Sequence, residues 1–258
     1  MGIPFKATAS TNEATTIEQI IKIIEEIIED SENNNNPLGY FAALYLKVTK
    51  SVKQGIDDKV FEDNDRMEKF DVIFANLYIK AYFEYQNHQT VPESWNVAFN
   101  LSTKFWPIVL QQLLIGMNAH INLDLGHAAA VVMKGQDIND LKGDFDKINE
   151  VLASLVGQVE TSLSKVWPTL KVILRFTGKV DDFLINFSMG IARDGAWKFA
   201  TELAVSTDFE QELRKRDAKV AKIAKLVKNP GHFMSFIFKL IRLGERGTVK
   251  QKIIKIIS

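Results

Sequence analysis

Apolar residues return every three or four positions along most of this chain, a spacing that gathers them on one side of an α-helix and leaves little period-two pattern for strands. Ile17, Ile20, Ile21, Ile24, Ile27 and Ile28 make the first such stripe, introduced by Thr15 and Glu18 in capping-box spacing. Leu38, Phe41, Tyr45, Val48 and Val52 make a second, with Gly55 as its expected stop. Phe70, Ile73, Phe74, Leu77 and Tyr78 make a third, within a helix expected from Arg66 to Tyr85. Pro92 suits the start of a helix carrying Trp95 and Phe99, and Pro107 opens a segment that runs to Met133. Further helices are expected over Phe145–Leu163, Trp167–Phe176 and Val180–Val205, then from caps at Ser206 and Thr207 to Lys228, and finally over Phe233–Leu243 and Thr248–Ile257. The prediction is an all-α fold, a single domain over 1–258 built from about ten helices around the apolar helix Pro107–Met133. Residues 1–14 are expected to be a loose tail, and 211–258 to be basic helices packed on the body.

With 258 residues, 46% of them apolar, the chain can bury a large core. It contains no cysteine, which excludes disulfides, thiolate nucleophiles and thiolate zinc sites. The run from Trp106 to Met133 is interrupted by Gln111, Gln112, Asn118, His120, Asn122, Asp124 and His127, too many polar groups for a lipid-facing helix. The N-terminal stretch has no signal-peptide hydrophobic run, and Lys6 stands where a myristoylation motif needs Ser or Thr, so a cytoplasmic location is expected.

Polar side chains within that apolar run are the best candidates for a site, because a buried polar group is costly unless something bonds it. Between Asn118 and Leu125 the pattern NAHINLDL alternates with period two, which read alone would be a strand with Asn118, His120, Asn122 and Asp124 on one face. The flanking LQQLLIG and HAAAVV favour a helix. On a helix Gln111, Asn118 and Asn122 share one face, and His120, Asp124 and His127 share the other at i, i+4 and i+7. Asn118, His120, Asn122 and Asp124 are therefore candidate ligand-binding residues for a small molecule or an ion. Arg66 and Arg193, charged residues within apolar helices, are candidate partners for an anion or carboxylate. They also fit internal ion pairs with acids such as Asp71 and Asp194.

His120, Asp124 and His127 have the spacing to hold one divalent metal, which would support a single-metal hydrolase with His120 and Asp124 as ligands. Only His88 and His232 remain elsewhere in the chain, so Asp71, Asp194 or Glu84 would have to complete the shell and a multi-zinc site is not expected. The competing structural reading is a buried hydrogen-bonded pair of His120 and Asp124. No Gly-x-Ser-x-Gly elbow and no phosphate-cradling glycine loop occur.

Net charge is zero but unevenly spread: 13 of the 32 Lys and Arg residues, and 3 of the 32 acids, fall in Gln211–Ser258. FMSFIFKLIRL and VKQKIIKIIS within it are amphipathic and cationic, which suits a solvated helical face or a non-enzymatic role on an anionic membrane surface or an acidic partner. Nucleic acid is disfavoured, because aromatic and basic residues are not interleaved there.

Five stretches carry a resemblance: DRMEKFDVIFANLY (Asp65–Tyr78), VPESWNVAF (Val91–Phe99), LLIGMNAHINLDL (Leu113–Leu125), DFDKIN (Asp144–Asn149) and ARDGAW (Ala192–Trp197). Through them the chain resembles an uncharacterised all-helical family, number 5995 among the domains of unknown function. The resemblance implies an all-helical fold with a site region at the Leu113–Leu125 motif, and no reaction. His127 departs from that family's preference for a less polar residue after the Asp124–Leu125 pair, which counts against a three-ligand metal site. The His-x-x-x-Asp spacing is also similar to one helix of the helical zinc phospholipases C and single-strand nucleases, a group that uses many more histidines than this chain has.

Overall fold

The computed structural model describes residues 13–148 and 189–258. Among them are ten α-helices and no strand. These are α1 (Ile17–Asn33), α2 (Gly39–Asp57), α3 (Asn64–Gln86), α4 (Glu93–Ser102), α5 (Val109–Ala119), α6 (Leu125–Val132), α7 (Met189–Ala204), α8 (Phe209–Lys228), α9 (His232–Gly244) and α10 (Val249–Ile257). A π-helical turn, His120–Asp124, joins α5 to α6 without a break, and a short 3-10 turn, Ile138–Leu141, leads into helical residues 142–148. The remainder of the expected Phe145–Leu163 helix, the Trp167–Phe176 helix and residues 180–188 of the expected Val180–Val205 helix lie outside the described residues.

Local chemistry sets the helix ends, with shifts of one or two residues from the expected caps. Thr16 rather than Thr15 caps α1, accepting the Gln19 amide at 3.3 Å, while the Gln19 side chain accepts the Thr15 amide at 2.8 Å. Asp208 rather than Ser206 or Thr207 caps α8, its carboxylate accepting the Gln211 amide at 3.0 Å. Helix α2 passes through Gly55 to Asp57. Ala14, counted with the loose tail, is buried, because the Asn76 side chain accepts its amide at 3.1 Å and donates to its carbonyl at 2.8 Å.

The largest apolar cluster draws on α1 to α5 and on α8 to α10, so the basic C-terminal helices share the core with the N-terminal ones. A second cluster joins α3, α6, residues 138–148 and α7. The segment from α5 to α6 links them: α5 packs on α2, α4 and α8, whereas α6 packs on α3 and α7. Two glycines make these contacts close. A Cβ on Gly126 would stand 2.7 Å from the Ala196 carbonyl of α7, and one on Gly116 would stand 2.6 Å from the Phe41 ring of α2. Glycine is the only residue that leaves the Phe41 ring its place against α5.

Candidate functional site

The alternating NAHINLDL segment is neither a strand nor a regular α-helix. The Leu125 amide reaches back five residues to the His120 carbonyl, and this wider turn offsets the helical faces before and after it. Within the turn the Asn122 carbonyl accepts Arg216 Nε of α8 at 2.7 Å, which holds the irregular backbone in place. Arg216 also lies 5.1 Å over the Phe199 ring.

One polar face of the segment is bonded to protein groups. Gln111 donates to the Val227 carbonyl at 2.9 Å, Asn118 donates to the Val220 carbonyl at 3.0 Å, and Asn122 donates to the Asn118 side-chain oxygen at 3.2 Å. All three side chains are buried, and Gln111 and Asn118 clamp the segment onto α8.

The other face is different. His120 Nδ1 lies 2.9 Å from Asp124 Oδ2, and the same oxygen accepts Trp95 Nε1 of α4 at 2.9 Å. The imidazole stacks on Phe74 with centroids 3.7 Å apart and meets Tyr45 edge-on at 4.5 Å. Phe41, Trp95 and Tyr78 complete a ring of aromatic walls at 5.7, 5.9 and 6.0 Å. Three buried polar atoms on or near that shell have no hydrogen-bond partner: His120 Nε2, the Tyr78 hydroxyl and Asp71 Oδ2. The buried Tyr45 hydroxyl has no partner in good geometry and only the Thr49 side chain close to it. Whichever nitrogen carries the proton, the far side of the imidazole is left unbonded. Each such atom costs about 1–3 kcal/mol of folding stability.

Burial dominates the electrostatics. It pushes the Asp124 carboxyl up to about 8, against the opposing pull of the Trp95 N–H, and it holds His120 well below the ordinary imidazole range. Burial, helped by the charge of Glu68, pushes Asp71 up to about 7. His127 is also lowered by burial, with Asp124 and Glu210 opposing.

Asp71 and Asp124 keep protons in the fold that the unfolded chain has released, so folding stability falls as pH rises from the ordinary carboxyl range through about 7 to 8. His120 and His127 act in the opposite direction, neutral when folded and protonated when unfolded below about pH 6.5, so they cost stability only as pH falls under that value. Above it the carboxyls act alone. Urea unfolding is therefore expected to show stability dropping between about pH 6.5 and 8 by about 1 kcal/mol per pH unit, with Asp124→Asn flattening the drop. A flat or rising profile across that window in the native chain would mean that Asp124 is ionised in the fold at neutral pH.

The other candidate residues lie apart from this pair. His127 feels the charge of Asp124, but its ring packs edge-on against Phe209, 5.5 Å between centroids, because the π turn rotates α6 away from the regular i+7 position. Among the described residues no group of three or more His, Asp or Glu side chains is arranged to hold a metal ion. Arg66 is committed to Asp144, with Nη2 3.0 Å from Oδ2. Arg193 is buried on α7, where desolvation lowers its pKa and neighbouring Asp194 opposes the shift. Asp71 makes no ion pair among the described residues, contrary to the pairing expected for it: its carboxyl is buried, its Oδ2 is unbonded, and the charge it feels is that of Glu68.

A family model described as a family of unknown function (DUF5995) matches residues 17–230. The chain belongs to this family. Comparison with curated proteins and with solved structures finds no match. The DUF5995 match covers α1 to α8 and ends before α9 and α10. All five stretches that carry the resemblance lie within it, and three of them meet at the His120 pair: Asp65–Tyr78 supplies Phe74 and Tyr78, Val91–Phe99 supplies Trp95, and Leu113–Leu125 supplies the pair itself. The DFDKIN stretch supplies Asp144, and ARDGAW supplies Ala196, on which Gly126 rests.

Trp95, Tyr45, Tyr78 and Arg216 belong to the site region but were not selected from the sequence. Tyr45 and Tyr78 did carry a signal, a hydroxyl placed on the apolar stripe of a core-facing helix. Arg216 carried none, since it is one of many cations on α8 and only the packing singles it out.

Proposed function

We propose that this protein binds a small, uncharged, hydrogen-bonding molecule beside His120. The observation that carries the reading is the buried, unbonded Nε2 of His120, on an imidazole packed against the rings of Tyr45 and Tyr78, of which the Tyr78 hydroxyl is also unbonded. A guest there would gain hydrogen bonds now missing, and its faces would be covered by Phe41, Phe74 and Trp95. Burial favours the neutral forms of His120 and Asp124, so a neutral guest suits the shell better than an ion. A cleft of about 20 Å³, lined by Leu38, Phe41, Tyr78, Trp95, Phe99 and Gly116, adjoins the aromatic walls. It is large enough for a water molecule, and a larger guest requires the Phe41 or Trp95 ring to turn. The single-metal hydrolase reading has less support, because His120 Nδ1 and Asp124 Oδ2 face each other and no third acid or histidine among the described residues is grouped with them to hold a metal.

The test is NMR titration of the native chain and of His120→Phe with phenol, indole and formamide. The phenylalanine keeps the stack on Phe74 and removes both nitrogens. At least one probe is expected to shift the His120 and Trp95 ring signals and to raise the melting temperature of the native chain alone. No shift with any probe, or equal effects on the variant, would sink the proposal.

A further inference from the structure

We infer that the outer face of α9, together with the loop of Phe105 and Trp106, docks on an anionic membrane surface. Helix α9 is apolar around most of its circumference, yet only Met234, Ile237, Phe238 and Ile241 are buried. Phe236, Leu240 and Leu243 stand on the opposite side within an arc of about 60° at 100° per residue. Phe236 is 59% exposed and Leu243 70%. Phe105 and Trp106, 64% and 47% exposed, belong to the same surface, because Arg242 Nε donates to the Phe105 carbonyl at 2.6 Å. The Arg242 guanidinium lies 5.0 Å over the Phe105 ring, and Lys239 Nζ lies 5.6 Å over that of Trp106. Aromatic rings flanked by cations at an apolar helix face form an arrangement suited to the boundary between lipid headgroups and acyl chains.

Charge selects the occupant. The three acids of Gln211–Ser258 are each engaged within the protein: Glu212 pairs with Lys215, Asp217 accepts the Glu93 and Ser94 amides of α4, and Glu245 is buried between Arg242 and Lys252. Lys252 is buried with Glu245, Arg216 is held by the Asn122 carbonyl, and Lys225 and Lys250 pair with Glu93 and Glu32. Basic residues still outnumber acids on the surface of this region, with exposed Lys239 on α9 and exposed Arg246 just after it. A second copy of the chain would bring cations against cations, whereas an anionic lipid surface satisfies both the charge and the apolar side chains. No helix among the described residues is long and apolar enough to cross a membrane, so the contact is with the surface of the bilayer.

The test is sedimentation of the full chain with vesicles of phosphatidylcholine containing about a third phosphatidylserine, and with phosphatidylcholine alone. Binding to the anionic vesicles is expected to be stronger, to weaken as salt is raised, and to shift Trp106 fluorescence to the blue, a change absent in Trp106→Phe. Phe236→Ser with Leu240→Ser should lower partitioning about tenfold or more, and Lys239→Gln with Arg246→Gln should lower it about fivefold per charge. These side chains are exposed, so melting of the variants should stay close to native. Failure to sediment with anionic vesicles, equal binding to both vesicle types, or native binding by the serine variant would overturn the inference. A concentration-dependent dimer in ultracentrifugation that Phe236→Ser abolishes, without vesicle binding, would overturn it in favour of a face between copies.

Discussion

Replacing Trp95 with alanine is expected to lower the unfolding free energy by about 4 kcal/mol, close to the upper end for a buried aromatic side chain. Trp95 is 1% exposed, stacks on Phe99 at 5.1 Å and packs against Tyr78 and Phe41 at 5.2 and 5.5 Å. Alanine would leave a hole between α2, α3 and α4 that these rings cannot fill without leaving their own partners. It would also remove the indole N–H from Asp124, whose only other bond at that oxygen is to His120. Trp95→Phe separates the two effects, since it keeps most of the volume and deletes the donor; its cost should be about 1–2 kcal/mol. Urea unfolding monitored by far-UV circular dichroism measures both. If alanine costs under about 1 kcal/mol, the α4 contact with the site is not tight, and the aromatic shell is open in solution.

Asp144→Ala is expected to cost about 3 kcal/mol, because it strands a mostly buried cation and two amides together. Asp144 is fully buried; its Oδ1 accepts the Glu62 amide at 2.6 Å, and Oδ2 accepts the Asp63 amide at 3.2 Å and Arg66 Nη2 at 3.0 Å. Without it Arg66, 16% exposed, keeps only Asp63 at 3.9 Å. The entry to α3 then loses the carboxylate that orients it. Hydrogen exchange at the Glu62 and Asp63 amides should quicken along with the loss of stability. Near-native stability in Asp144→Ala would release Arg66 from this structural role and restore it as a candidate for binding an anion.

The helices were legible from residue spacing because an amphipathic stripe such as Ile17 to Ile28 needs only local geometry to declare which side is buried. Their ends were less legible, since Thr15 and Thr16 are equivalent in sequence and the choice between them follows from how Gln19 folds back. The position of the site was visible as polar residues in an apolar run, and the alternation within NAHINLDL marked it as irregular. That irregularity proved to be a π turn, which no period taken alone could indicate, because it depends on a carbonyl finding Arg216 some ninety residues away in sequence.

Which polar groups would be bonded and which left empty was a matter of tertiary packing. Asn118 and His120 are equally polar and nearly adjacent, yet one meets the carbonyl-bearing side of α8 and the other an enclosure of rings from α2, α3 and α4. Local sequence determined the helical fold and the segment where buried polarity concentrates, because periodicity and desolvation act residue by residue. The unbonded nitrogen of His120, the raised carboxyls of Asp71 and Asp124, and the partner of Arg66 were decided by long-range contacts, because hydrogen bonding and dielectric environment depend on which distant side chains arrive.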